Sequence, residues 1–352
     1  MKQKRLTFLL LLISNLFCAS AQKWYKPEID LKVEELLSQM TVEEKLGYIG
    51  GIDWMYTKSI DRLGIHRMRM SDGPQGIGTK GKSTAYPATV TLAATWNENL
   101  AYQYGKALGR DCRARNINVI LGPAVNIYRA PMCGRNFEYM GEDPYLTSRI
   151  CVGYIKGVQD QGVMATVKHF VANNSDYDRN NISNDIDERT LNEIYFPAYK
   201  AAIQEAEVGA IMTSYNLMNG IYTTENPWLL KEVLRNQWGF KGLVMSDWGS
   251  THYCVPAARS GLDLEMAGGE KMNPKDMAYY LKTGDVTMDM VDEKVRHILR
   301  ILIAFGFKDG TEADKSIALD DPQSVETALN VAREGLVLLK NENNILPINP
   351  QK

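Results

Sequence analysis

Leu243-Val-Met-Ser-Asp247-Trp-Gly249 sets an apolar run directly against a carboxylate, an indole and a glycine. Its three leading residues read as a strand buried on both faces, because a half-exposed strand would alternate apolar with polar positions. Asn118–Val125, Met164–His169, Val208–Tyr215 and Leu262–Met266 have the same form: short, rich in Val, Ile, Leu and Met, and bounded by Gly or polar residues. Amphipathic helices are predicted between them, among them Glu188–Glu205 and Pro227–Trp238. The second is well punctuated, with Asn226 as cap, Pro227 in the first turn and Gly239 after the end. Upstream, Leu31, Val33, Leu36, Leu37 and Met40 make one apolar helical face. Thr41 and Glu44 then form a capping box that starts a second helix at once.

Repeated strand–helix units predict an α/β fold with a parallel sheet. Residues 28–308 are close to the size of a (β/α)8 TIM-type barrel, typically about 250 residues. A doubly wound open sheet is the competing architecture. Polar, chemically capable residues favour the barrel: Asp72, Lys168, His169, Tyr215 and Asp247 all fall at the C-terminal ends of predicted strands. In a barrel those ends converge on one mouth. The barrel is assigned to residues 22–308 and a polar linker to 309–321. A helix from Pro322 to Glu334 and a strand at Gly335-Leu-Val-Leu-Leu-Lys340 follow. One helix and one strand cannot bury their own apolar faces, so 322–352 reads as the beginning of a truncated second domain.

Residues 1–21 read as a signal peptide: Lys2, Lys4 and Arg5, an apolar run from Leu6 to Phe17, then Ala19-Ser20-Ala21 before a cut at Gln22. A secreted or periplasmic protein is expected. Cys18 is preceded by Asn15-Leu16-Phe17, a poor lipobox, and no other run nears the roughly 20 apolar residues of a membrane span. The formal net charge of −2 gives no electrostatic footprint for nucleic acid. Cys112, Cys133, Cys151 and Cys254 remain after cleavage, and no bridge is assigned among them. Oligomeric state is not readable.

His66, His169, His252 and His297 have no metal-binding spacing, so neither metal nor cofactor is predicted. Gly76-Ile-Gly-Thr-Lys-Gly81 matches GxGxxG but follows a turn and opens no amphipathic helix, as a dinucleotide site would require. No Gly-x-Ser-x-Gly elbow supports a serine nucleophile. Asp247 has two readings: a carboxylate able to attack an anomeric carbon, with Trp248 as a sugar-stacking face, or a cap for the next helix. Lys168-His169 offers two donors for hydroxyls, or a surface Lys beside a satisfied core His. Arg135 lies in a Gly-flanked loop, and Asp72 in a Ser-Asp-Gly-Pro turn.

In combination these segments resemble glycoside hydrolase family 3 of the β-glucosidase type. The motifs are Arg69-Met-Ser-Asp-Gly-Pro74, Gly134-Arg-Asn-Phe-Glu-Tyr-Met-Gly-Glu-Asp-Pro144, Lys168-His-Phe170 with Asn173-Asn174, Ser214-Tyr-Asn216 and Ser246-Asp-Trp248. Ala332-Arg-Glu, Leu338-Leu-Lys-Asn341 and Leu346-Pro347 are similar to the opening of the family's α/β sandwich domain. The resemblance implies Asp247 as nucleophile of a retaining, exo-acting β-glucosidase acting on an oligosaccharide or other β-glycoside. It implies that Asp72, Arg135, Lys168 and His169 hold the terminal sugar, that Tyr215 sits beside the nucleophile and that Trp248 lines the mouth. The acid/base would be a Glu of the second domain. The single-domain alternative, a His in a Lys-His-Phe-Pro-Gly-His-Gly segment, is absent, since Phe170 is followed by Val-Ala-Asn-Asn. Glu138, Glu142 and Glu265 lie near strand ends, with no ground in the sequence for choosing an acid. A β-xylosidase of the same family is the alternative, or a non-hydrolytic sugar-binding barrel if the chain ends at Lys352.

Overall fold

The computed structural model describes residues 24–78 and 81–351; the signal-peptide reading lies outside them. Five strands form a parallel sheet in chain order: β1 (Met70–Asp72), β2 (Val119–Leu121), β3 (Met164–Phe170), β4 (Ala210–Thr213) and β5 (Leu243–Met245). Parallel neighbours need crossovers, and the predicted helices supply them. β2, β3, β4 and β5 are buried along their whole length, which is why they read as unbroken apolar runs.

The regular ladder is open, and isolated bridges span the gap between its edges. Met245 pairs with Leu264 and Gly50 with Glu265, both parallel; Ile52 pairs with Tyr56 and Tyr56 with Arg69, both antiparallel. The predicted strand Leu262–Met266 is therefore reduced to two bridges. The fold is α/β and TIM-barrel-like, with a barrel wall regular over five strands and stitched over the rest.

Helix Pro27–Gln39 ends where predicted, and Thr41 and Glu44 exchange both capping-box hydrogen bonds before helix Val42–Tyr48. Asn226 Oδ1 accepts from Leu229 N, and Gly239 takes the left-handed conformation at φ 70° that follows the helix. Helices Glu98–Arg113 and Pro144–Gln159 cross in near backbone contact. A Cβ on Gly105 would lie 2.1 Å from Tyr154 O, and one on Gly157 2.1 Å from Tyr102 O, so only glycine permits this approach.

The polar segment 309–321 lies on the barrel rather than free of it. Asp314 N donates to Arg113 O, Asn116 Nδ2 to Thr311 O, and Arg110 pairs with Asp321 at 2.7 Å. Helix Pro322–Gly335 packs beside them, and Ser324 Oγ donates to Asp111 Oδ1. The strand predicted at Gly335–Lys340 does not form: Leu336, Val337, Leu338 and Leu339 are exposed, with Leu339 at 91%. An apolar run becomes a strand only where a sheet edge accepts it, and none lies beside it among the described residues. No described helix is long and apolar enough to cross a membrane.

Candidate active site

The C-terminal ends of the strands surround a cavity of about 260 Å³. Asp72 ends β1, Lys168 lies near the end of β3, Tyr215 follows β4, and Asp247 and Trp248 follow β5. Arg135 enters from the loop after β2. Six of the seven predicted side chains line this one cavity. His169 sits behind them, fully buried, with Nε2 3.6 Å from Asp247 Oδ2. A second space of about 550 Å³ adjoins the first and shares Asp72 and Arg135 with it.

Asp247 does not cap the helix that follows, which starts at Cys254. Its Oδ1 accepts from the backbone N–H of Trp248 at 2.7 Å, and the Tyr215 hydroxyl stands close enough to the carboxylate to lower its pKa. Its Oδ2 has no hydrogen-bond partner among the described residues and lies 3.6 Å from Arg135 Nη1. Burial pushes the Asp247 carboxyl above the usual range. Arg135, Lys168, the Trp248 N–H and Tyr215 pull it back without cancelling that rise. The same proximity to Asp247, added to burial, raises the Tyr215 hydroxyl. Burial, together with the charges of Arg135, Lys168 and Arg179, drives His169 well below the ordinary imidazole value, so it is neutral.

The cations are organised by a carboxylate whose role the sequence did not disclose. Glu138 is buried, bonds Arg135 Nε, and lies 3.7 Å from Lys168 Nζ. Lys168 also reaches Asp72 Oδ1 at 3.1 Å, where Asp72 stands at the solvent edge. Two more lining residues were missed. Arg179 comes from the loop after β3 and stacks its guanidinium 3.9 Å over the Tyr215 ring. Trp54 comes from the turn that bridges the sheet edges, and its carbonyl accepts from Trp248 Nε1 at 2.8 Å. Neither carries a sequence signal, since both lie in aperiodic loops. Of the other glutamates considered, Glu265 is spent on the N–H groups of Lys271 and Met272, and Glu142 is exposed outside the cavity. Among the described residues no three His, Cys, Asp or Glu side chains cluster as metal ligands would.

Residues 41–301 match the profile of the glycosyl hydrolase family 3 N terminal domain. The chain belongs to glycosyl hydrolase family 3. Within that family it is 42% identical over 322 residues to a β-glucosidase of Rhizobium radiobacter, covering 90% of this chain and 39% of that protein. It is 39% identical over 328 residues to thermostable β-glucosidase B of Acetivibrio thermocellus, covering 90% and 43%. Among solved family 3 structures, β-glucosidase 3B from Thermotoga neapolitana in complex with α-D-glucose superposes with a TM-score of 0.83 at 35% identity, covering 90% of this chain and 48% of that one. The chain thus spans less than half the length of these relatives. The parallel α/β architecture anticipated from the strand pattern is the architecture of the family 3 N-terminal domain.

Proposed function

We propose that this chain carries the nucleophile half of a retaining, exo-acting β-glucosidase. The observation that carries the reading is the seat of Asp247: a buried carboxylate with one unpartnered oxygen, facing a small cavity beside Arg135 and Tyr215. The likeness to proteins named β-glucosidases supports the sugar. Asp72, Arg135, Lys168 and His169 hold the hydroxyls of the terminal ring, and Trp248 borders the leaving-group side. Asp247 attacks the anomeric carbon as the glycosidic C–O bond breaks, and the bonding pair leaves with the aglycone oxygen. Water then attacks the same carbon, releasing the sugar and restoring the carboxylate. A retaining pair needs a second carboxyl about 5 Å away. The acid/base is assigned, as the family resemblance implies, to a Glu of the second domain; Glu138 and Glu265 are engaged elsewhere and Glu142 lies outside the cavity. Export through residues 1–21 belongs to the same proposal.

The test is covalent trapping. A 2-deoxy-2-fluoro-β-glucoside with a dinitrophenolate leaving group needs little acid assistance, and should add one fluoroglucosyl mass to the peptide bearing Asp247. A label on another residue, or undiminished hydrolysis by Asp247→Ala, would sink the assignment.

A further inference from the structure

Asn126 is buried and clamped by the backbone of His169. Its Nδ2 donates to His169 O at 2.9 Å, and its Oδ1 accepts from His169 N at 2.8 Å. A backbone N–H only donates and a carbonyl only accepts, so these two bonds settle which amide atom is oxygen. That oxygen also lies 3.2 Å from His169 Nδ1. An amide oxygen only accepts, so Nδ1 carries the hydrogen. A neutral imidazole has a single N–H, which leaves Nε2 with a bare lone pair. Burial and three surrounding cations keep the ring neutral. Among the described residues Nε2 has no hydrogen-bond partner, and neither has Asp247 Oδ2, 3.6 Å away, whose nearest cation is Arg135 Nη1 at 3.6 Å. Two buried acceptors side by side call for a donor hydrogen from outside the protein.

A sugar hydroxyl meets that need. Lys168 and Arg135 can only donate, yet every hydroxyl must also give its own hydrogen to something. We infer that Asn126 is a positioning residue that holds His169 in the Nδ1–H tautomer, so that Nε2 accepts a hydrogen from a hydroxyl of the bound sugar instead of donating one. The sugar rests on the proposed function; the tautomer does not.

Both parts are measurable on the full chain labelled with ¹⁵N-histidine. The His169 resonances, identified by their loss in His169→Gln, should show a pyrrole-type Nδ1 and a pyridine-type Nε2. A protonated Nε2 would overturn the inference. In Asn126→Leu the proton should move wholly or partly to Nε2, which faces the Asp247 carboxylate; an unchanged signature would remove Asn126 from the account. Kinetics then read the direction of the bond. Aryl β-glucosides in which each ring hydroxyl is replaced in turn by hydrogen or by fluorine are compared. Fluorine accepts but cannot donate, so at one position both analogues should fall equally, about 10- to 100-fold in kcat/KM. His169→Gln should narrow that loss. If fluorine preserves the rate wherever hydrogen loses it, His169 is a donor and the inference fails. If no glucoside is turned over at all, the proposed function fails, and the nitrogen signature still decides the tautomer.

Discussion

Two buried aspartates bracket β5, and their carboxyls are pushed in opposite directions. Asp263 packs beside the strand's start, with Oδ2 accepting from Val244 N at 2.8 Å and Arg235 Nη2 at 2.6 Å, and Oδ1 meeting His297 Nδ1 at 2.7 Å. Burial alone would raise it, but His297, Arg235 and the Val244 N–H outweigh burial and hold it below the usual carboxylate range. Asp247, past the strand's other end, keeps an oxygen without a partner and stays above that range. Burial is the same; what differs is how many acceptor sites the protein itself fills. Asp263 is saturated and binds the wall segment 262–266 to β5 and to helices Trp228–Gln237 and Met288–Ala304. Asp247 is left incomplete, which is what a group awaiting a substrate requires.

The sharpest way to break this contrast is to delete each carboxylate in turn. Asp247→Ala should lower kcat at least about 10⁴-fold, as loss of a nucleophile does, with unfolding free energy within about 1 kcal/mol of the parent. Asp263→Ala should do the reverse. It leaves Arg235 buried without its partner, so chemical denaturation should show a loss of about 3–5 kcal/mol, while kcat of the folded fraction stays within a few-fold. If Asp247→Ala unfolds the chain, or Asp263→Ala spares it, the division of labour between the two ends of β5 is wrong.

A smaller effect sharpens the scaffold side. Lys294 is buried beside Asp263 and donates to Leu262 O at 2.6 Å. Burial lowers its pKa to about 8, with Asp263 and Glu293 opposing the shift. In the unfolded chain it titrates near the ordinary 10.5, so between these values the unfolded state binds more protons. Lys294 therefore makes stability rise with pH across that window. Relative to Lys294→Met, which does not titrate, the parent should gain about 2 kcal/mol between pH 8 and pH 10. Buried tyrosines and thiols are common to both proteins and drop out of the difference. A constant gap would mean that the ammonium is fully compensated where it lies.

The two ends of β5 also differed in how much could be read beforehand. Asp72, Lys168, Tyr215 and Asp247 were visible because a strand buried on both faces is an apolar run, and the charged or phenolic residue at its C-terminal end marks the barrel mouth. Arg135 was visible only inside a loop motif. Glu138 was noticed, but its work depends on reaching Arg135 three positions back and Lys168 thirty positions on at once, a distance no local pattern encodes. Arg179 and Trp54 arrive from aperiodic loops. Asp263, Arg235 and His297 left no trace as a cluster, since one sits on a bridge segment and the others on two separate helices. Leu336–Leu339 misled because composition reports what a segment is able to bury, not whether a partner edge exists.

The smallest expected effect asks how far the incompleteness of Asp247 is deliberate. The Tyr215 hydroxyl lowers the pKa of its carboxylate, and the Tyr215 ring is itself held under the Arg179 guanidinium. A hydrogen bond to the ionised form lowers a carboxyl pKa. Tyr215→Phe removes that hydroxyl without emptying the space, so the Asp247 pKa should rise further. As the proposed nucleophile Asp247 must be ionised to attack, so activity should be lost sooner as pH falls. The acid limb of kcat/KM should move up by at most about one unit, equivalent to about 1.4 kcal/mol, with a fall in kcat of about tenfold or less on the plateau. An acid limb that stays in place would mean that Tyr215 only fills space. Arg135, Lys168 and the Trp248 N–H would then carry the ionised state alone, and the site end of β5 would stand still further from its saturated scaffold end.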